Sequence, residues 1–148
     1  MITETTSRPG SAMDHETIRV GIAIVQRGDQ VLVGIRDAAA VLGGKHEFPG
    51  GKCLDGESPA VCAERECFEE TGLRVAAESL LQQVDHTYAH GHLQLFFYLC
   101  REKDAVSSTS PNTPAAPFGW VPITQLASLN FPAANQSAVA LLERQRRV

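Results

Sequence analysis

The stretch GKCLDGESPAVCAERECFEETGL, residues 51–73, decides how this chain is read. It sets Gly51, Glu57, Arg65, Glu66, Glu69, Glu70 and Gly72 at restrictive offsets. Ser58 is a good N-cap, Pro59 suits the first helical position, and Gly72 fits the left-handed residue just past a helix end. The punctuation predicts a helix over residues 59–71, with Glu57 in the loop before it. With Glu66 at zero and about 100° per residue, Glu69 falls near 300° and Glu70 near 40°, so three carboxylates share one face. Cys67, Ala60, Thr71, Phe68 and Val61 occupy about 100° to 220°, the stripe such a helix is expected to bury. On this reading the acid face opposes the core face.

Such a face is either a solvated acidic surface or a site for a divalent cation. Like charges at i, i+3 and i+4 repel by roughly a few tenths of a kcal/mol per pair, and carboxylates in the C-terminal half of a helix also oppose its dipole. A cation removes both penalties, and hard carboxylate oxygens suit Mg²⁺ or Mn²⁺. The glycines and the arginine at fixed offsets favour the cation site over the bare acidic face.

Outside the run, 148 residues with 43% apolar and 20% charged composition fit one globular domain. The net charge of −4 argues against gripping a polynucleotide, so phosphate contact has to pass through a metal. The cysteines at 53, 62, 67 and 100 form no C-x-x-C pair, and no signal-like or membrane-length apolar run is present, which makes a reducing cytoplasm the expected home. Cys62 falls on the carboxylate side of the wheel. It is either oxidisable and metal-responsive or a small packing residue, and packing is favoured. His86, His90 and His92 have spacing short enough for zinc, yet their place between two strands favours polar loop residues, one of which is a candidate for the substrate pocket or a general base.

Residues 1–17 read as a flexible polar tail. Val20, Ile22 and Ile24 mark a strand, Gly28 and Asp29 a turn, and residues 31–35 a second strand, followed by a loop or short turn over 38–45. Two more strands are expected near residues 80–88 and 93–101. Residues 104–117, rich in Ser, Thr and Pro, read as a mobile surface loop. Order resumes at Trp120 and Val121, and residues 133–147 read as an amphipathic helix with Val139 and Leu142 inward and Arg144, Arg146 and Arg147 complementing its dipole. There is no internal repeat. Strands before and after two helices fit an α/β fold with a mixed sheet between helical layers.

Residues 51–73 resemble the Nudix box: Gly, five residues, Glu, seven residues, Arg-Glu, an aliphatic, any residue, Glu-Glu, any residue, Gly, an aliphatic. Cys67 stands where the first aliphatic is usual, and a buried cysteine behaves as a small hydrophobe. His46-Glu47-Phe48-Pro49-Gly50-Gly51-Lys52 and Phe131-Pro132-Ala133-Ala134-Asn135 are similar to segments of the MutT-type branch, which cleaves nucleoside triphosphates. The resemblance covers roughly residues 18–145. It implies a Nudix α/β/α sandwich over 18–148, with Glu69 and Glu70 supplying metal oxygens, Glu66 a further ligand or base, and the Gly50 carbonyl another ligand. Arg65 is implied to pair with Glu69 or Glu57 and fix ligand geometry. Gly50 and Gly51 are implied to let backbone approach metal and phosphate, with turn formation equally open for Gly51. Asn135 is implied to read a purine edge, with helix capping as its alternative. Phe48 is implied to offer its backbone to the same base, beside Glu47. Arg36 contacts phosphate or base, or is a surface strand residue.

The implied reaction is Mg²⁺-dependent (or Mn²⁺-dependent) attack of water at phosphorus, converting 8-oxo-dGTP to 8-oxo-dGMP and pyrophosphate in a monomer or homodimer. Alternatives are a dCTP-like pyrimidine triphosphate, ADP-ribose, or a nucleotide sensor without turnover, which the intact box glutamates argue against. Three positions depart from the branch. Gly119 precedes Trp120 where a glutamate is expected, Val41 stands for a histidine, and Gly91 replaces an arginine before His92.

Overall fold

VGIAIV, residues 20–25, is apolar or glycine at every position, and a strand of that kind has to be covered on both faces. In the computed structural model, which describes residues 16–35, 44–103 and 113–146, it forms the middle of β1 (Glu16–Arg27). Ile22 and Ile24 enter one core with Val31, Val33, Phe97, Phe131 and Leu142. Ala23 and Val25 enter the other, with Leu32, Ala63, Cys67 and Cys100. The strand's period of two thus divides one apolar run between two cores.

The chain continues through β2 (Gln30–Ile35), β3 (His46–Glu47), β4 (Gly50–Lys52), α1 (Pro59–Thr71), β5 (Val75–Tyr88), β6 (Gly91–Glu102), β7 (Gly119–Pro122), a 3-10 helix (Ile123–Ser128) and α2 (Ala133–Arg146). The strand order is β3-β2-β1-β6-β5, with β4 also on β1 and β7 also on β2. β1 and β6 run parallel, and the other described pairings are antiparallel. α1 covers the Ala23 face through Ala63 and Cys67. α2 covers the Ile22 face through Ala138, Val139 and Leu142, so Val139 and Leu142 point inward as expected. The result is the expected mixed sheet between two helical layers. No described helix is long and apolar enough to cross a membrane.

α1 has the expected bounds. Ser58 accepts the Val61 N–H at 3.2 Å, and Gly72, at φ 81°, donates its N–H to Phe68 O. Its orientation differs from expectation. Cys62, Ala63, Cys67 and Thr71 are buried, whereas Val61 and Phe68 are 51% and 48% exposed. The buried residues therefore span about 320° to 140° on the same wheel, and between them lie the positions of Glu66, half-buried, and Glu70, exposed. The cause lies opposite the helix. Its floor there is Gly21 of β1 and Gly50 and Gly51 of β4, which present backbone instead of apolar side chains. A Cβ at Gly21 would stand 2.5 Å from Pro59 O and 2.7 Å from Ala63 N. Carboxylates can face such a floor because it offers N–H groups.

β1 begins at Glu16, paired with Gly91. β5 and β6 start earlier than expected, and β5 carries irregularities between Ala77 and Ser79 and between Leu80 and Gln82. Each breaks the alternation that a strand reading depends on. The expected loop over 38–45, with Arg36 and Val41, lies largely or wholly outside the described residues, as do the tail to residue 15, residues 104–112 and Arg147.

Candidate active site

Arg65 is the centre of the box. Its Nε donates to Glu57 Oε2 at 2.8 Å and its Nη2 to Glu57 Oε1 at 3.0 Å, a two-pronged pairing that suits the planar guanidinium. Nη1 reaches Glu66 Oε2 and both oxygens of Glu69 at 3.2 Å, and Nη2 also donates to the Lys52 carbonyl at 3.1 Å. Of the two partners expected for Arg65, it takes both. Glu57 is further fixed by the Leu54 N–H at 2.9 Å, and its carbonyl accepts from Arg19 Nη2 at 2.9 Å. Arg65, and then the Leu54 N–H, hold the Glu57 carboxyl down at about 2, against an ordinary 4.5. In turn Glu57, and then Glu69, push the Arg65 guanidinium upward.

This pairing has a pH signature. A carboxyl held below its unfolded value adds stability above the ordinary range and loses it as pH falls toward the folded value. In metal-free protein, Glu57→Gln is expected to lower the denaturation midpoint at neutral pH, with the gap to wild type closing between pH 4.5 and about 2. Urea titrations of both proteins at several pH values check this, and a pH-independent gap would remove Arg65 as the cause.

Glu66 lies beneath Gly51, where an added Cβ would overlap its carboxylate. Glu70 Oε1 accepts the Gly50 N–H at 3.2 Å. Gly51 is an extended β4 residue rather than a turn residue, and a Cβ on Gly50 would meet Gly21 O at 2.6 Å. The missing Cβ atoms thus make room for Glu66 and for β1. Cys62 is fully buried and donates its Sγ–H to Gly51 O at 3.2 Å. Burial, then the Cys53 thiol, pushes it up to about 12, so it is a protonated packing residue at neutral pH. Glu64, outside the box pattern, accepts the Ala77 N–H at 2.8 Å and ties α1 to β5.

Among the described residues no three His, Cys, Asp or Glu side chains already converge as a metal cage. Arg65 draws the carboxylates to itself, and Glu69, 55% exposed, has room to turn. The donors are carboxylate oxygens on one helix beside a backbone strand, a set whose chemistry fits a hard divalent cation. His86 and His92 are strand residues rather than the loop residues expected, and His90 stands in the turn between the two strands. His86 pairs with Leu93 and His92 with Thr87, so His86 and His92 are on opposite faces of the β5–β6 hairpin.

Beyond Gly50 opens a cleft of about 270 Å³ lined by Val20, Ile22, Glu47, Phe48, Gly50, Leu95, Pro132, Ala134 and Asn135. Phe48 is 5% exposed and stacks on Phe131 with centroids 4.8 Å apart, so its ring belongs to the core beneath the cleft. Asn135 sits in the first turn of α2. Its side chain makes no hydrogen bond among the described residues, so the capping alternative has no bond to rest on. Gly91 lies against β1, where a Cβ would collide with the Glu16 carbonyl, and an arginine has no room there. The position of a Cβ on Gly119 is open. Sequence reading missed Arg19, Glu64 and the partners of His46, whose roles depend on pairings between distant segments.

A family model described as NUDIX domain matches residues 20–141. The 8-oxo-dGTP diphosphatase of Escherichia coli strain K12 is 31% identical over 127 residues, covering 86% of this chain and 95% of that protein. A MutT NUDIX hydrolase from Burkholderia pseudomallei superposes with a TM-score of 0.65 at 26% identity, covering 86% of this chain and 99% of that one. The E. coli ORF135 protein superposes with a TM-score of 0.71 at 20% identity over 94% of this chain and 96% of its own, a likeness of fold. The family match runs from β1 into α2 and encloses Arg65, the box carboxylates and all the residues that line the cleft, so the chain belongs to the Nudix hydrolase family.

Proposed function

We propose that the chain is a pyrophosphohydrolase that converts 8-oxo-dGTP and water to 8-oxo-dGMP and pyrophosphate, with Mg²⁺ or Mn²⁺ held by Glu66, Glu69, Glu70 and the Gly50 carbonyl. The carrying observation is that Gly50 belongs to both halves of the site. Its N–H bonds Glu70, and the same residue lines the cleft that ends at Asn135. A nucleotide with its base beside Asn135 would therefore direct its phosphates toward the carboxylates. The names of the curated relatives support 8-oxo-dGTP as substrate.

When bound, the cation would neutralise phosphate charge and lower the pKa of the attacking water. Arg65 holds Glu57, Glu66 and Glu69 in place, and Glu66, seated under Gly51, is the carboxylate proposed either to bind metal or to take the water's proton. Asn135 brings an amide with a donor and an acceptor, the pair needed to distinguish the changed edge of 8-oxoguanine from guanine. Asn135→Ala is expected to cut discrimination against dGTP by about 1 to 3 kcal/mol, and equal kcat/KM ratios in mutant and wild type would refute the contact.

The test of the proposal is kcat/KM for 8-oxo-dGTP, the four normal dNTPs and ADP-ribose with Mg²⁺. A preference for 8-oxo-dGTP of about a hundredfold or more supports nucleotide-pool sanitation. Preference for another of these substrates keeps the hydrolase and discards the base assignment. Absence of turnover would leave a nucleotide-binding module.

A further inference from the structure

The cleft is walled by two segments far apart in the chain, Glu47 and Phe48 on one side and Pro132, Ala134 and Asn135 on the other. β3, which carries the first wall, has only two residues and pairs with β2 through Gly34 and Ile35. So short a strand needs another anchor, and His46 supplies it. The His46 N–H donates to the Asn130 carbonyl at 2.9 Å, and the Asn130 N–H donates back to His46 Nδ1 at 3.1 Å. The His46 ring also tilts against Phe131, with centroids 6.0 Å apart, and Phe131 is stacked on Phe48.

We infer that His46 is a positioning residue whose neutral imidazole latches the two walls of the nucleotide cleft, and that its protonation opens the latch and weakens nucleotide binding. This rests on the reading of the cleft as the nucleotide site and adds a control to it.

Nδ1 accepts from Asn130, so in the neutral ring the proton sits on Nε2. The imidazolium carries N–H at both positions, and its Nδ1–H would oppose the Asn130 N–H, donor against donor. Asn130 leads directly into Phe131 and Pro132, and the Asn135 N–H is bonded to Pro132 O at 2.9 Å. A shift at Asn130 is therefore delivered to the turn that presents Asn135. The charged groups beside the ring are Lys45, whose Nζ lies 3.4 Å from Asn130 Oδ1, and Glu47, which the strand pleat turns to the opposite face. Among the described residues, β2 (QVLVGI), the 3-10 helix (ITQLAS) and residues 133–140 (AANQSAVA) carry no charge, and the charges of α2 begin later, at Glu143 and Arg144. Arg36, next after β2, lies outside the described residues.

Two substitutions separate the latch from simple packing. His46→Asn places an amide oxygen near the position of Nδ1 and cannot be protonated in this range, whereas His46→Leu removes the acceptor. As pH is lowered from about 8 to 5.5, wild-type KM should rise about fivefold relative to His46→Asn, the worth of one hydrogen bond. His46→Leu should show the raised KM at every pH, with kcat close to wild type. A pH-independent ratio of wild-type to His46→Asn KM, or a wild-type KM in His46→Leu, overturns the inference. ¹⁵N–¹H spectra of the protein without nucleotide give a reading independent of catalysis. The Asn130 amide and the Asn135 side-chain amide should both follow the His46 titration. If they do while no nucleotide is turned over, the proposed function fails and the latch stands; if Asn130 does not move, the latch itself fails.

Discussion

Glu70→Gln is expected to lower kcat at least about a thousandfold while leaving the fold intact. The substituted amide keeps an oxygen able to accept the Gly50 N–H, so the contact between α1 and β4 survives. What is lost is a charge. Stabilising a phosphoryl-transfer transition state through a metal is worth several kcal/mol, and about 4 kcal/mol corresponds to three powers of ten in rate. Because Glu70 is exposed, the protein also has little desolvation to recover when the charge is removed. Thermal melting and circular dichroism should match wild type while turnover at saturating Mg²⁺ collapses. Turnover at the wild-type rate would remove Glu70 from the metal set.

The second large effect contrasts two glycines on the same floor. In Gly21→Ala the new methyl meets backbone on α1, Pro59 O at 2.5 Å and Ala63 N at 2.7 Å, neither of which can swing aside. The helix has to lift from β1, at a cost of roughly 3 kcal/mol, the upper range for overpacking. In Gly51→Ala the three atoms nearest the methyl all belong to the carboxylate end of Glu66, which can turn. Stability should hold within a few tenths of a kcal/mol, an allowance typical of substitutions that strain no backbone. Activity should fall by about ten- to a hundredfold as Glu66 is displaced from its place beside Arg65, since small misplacements are costly in catalysis. Melting temperature and kcat measured on both variants separate the cases. A Gly51→Ala enzyme with unchanged kcat would show that the seat of Glu66 does not matter.

The box helix was legible in sequence because its signals are local: Ser58, Pro59 and Gly72 are read within one short run, and all three act in the structure as caps and first turn. The two-sided β1 was legible for the same reason. The facing of α1 was not. Amphipathic reasoning assigns apolar residues to the interior, and here the interior partner is a glycine floor that accepts carboxylates, which leaves Val61 and Phe68 outside. β3 and β4 are too short to show a period, and the irregularities in β5 conceal one. Of the candidate site, the Arg65 pairs were readable from helical spacing and the loop position of Glu57. The Glu70 bond to Gly50 and the His46 bond to Asn130 join segments whose approach is set only by the sheet.

The parallel pairing of β1 with β6 also sets the order in which this chain can acquire its structure. β6 is made only after α1 and β5, so during synthesis β1 waits with one edge open while the box helix has already emerged. The β5–β6 hairpin can zip early because its strands adjoin in sequence, and it then closes onto a β1 that already carries β4 and α1. Destabilising that closure should slow refolding, whereas substitutions confined to the outer face of α1 should alter mainly the unfolding rate.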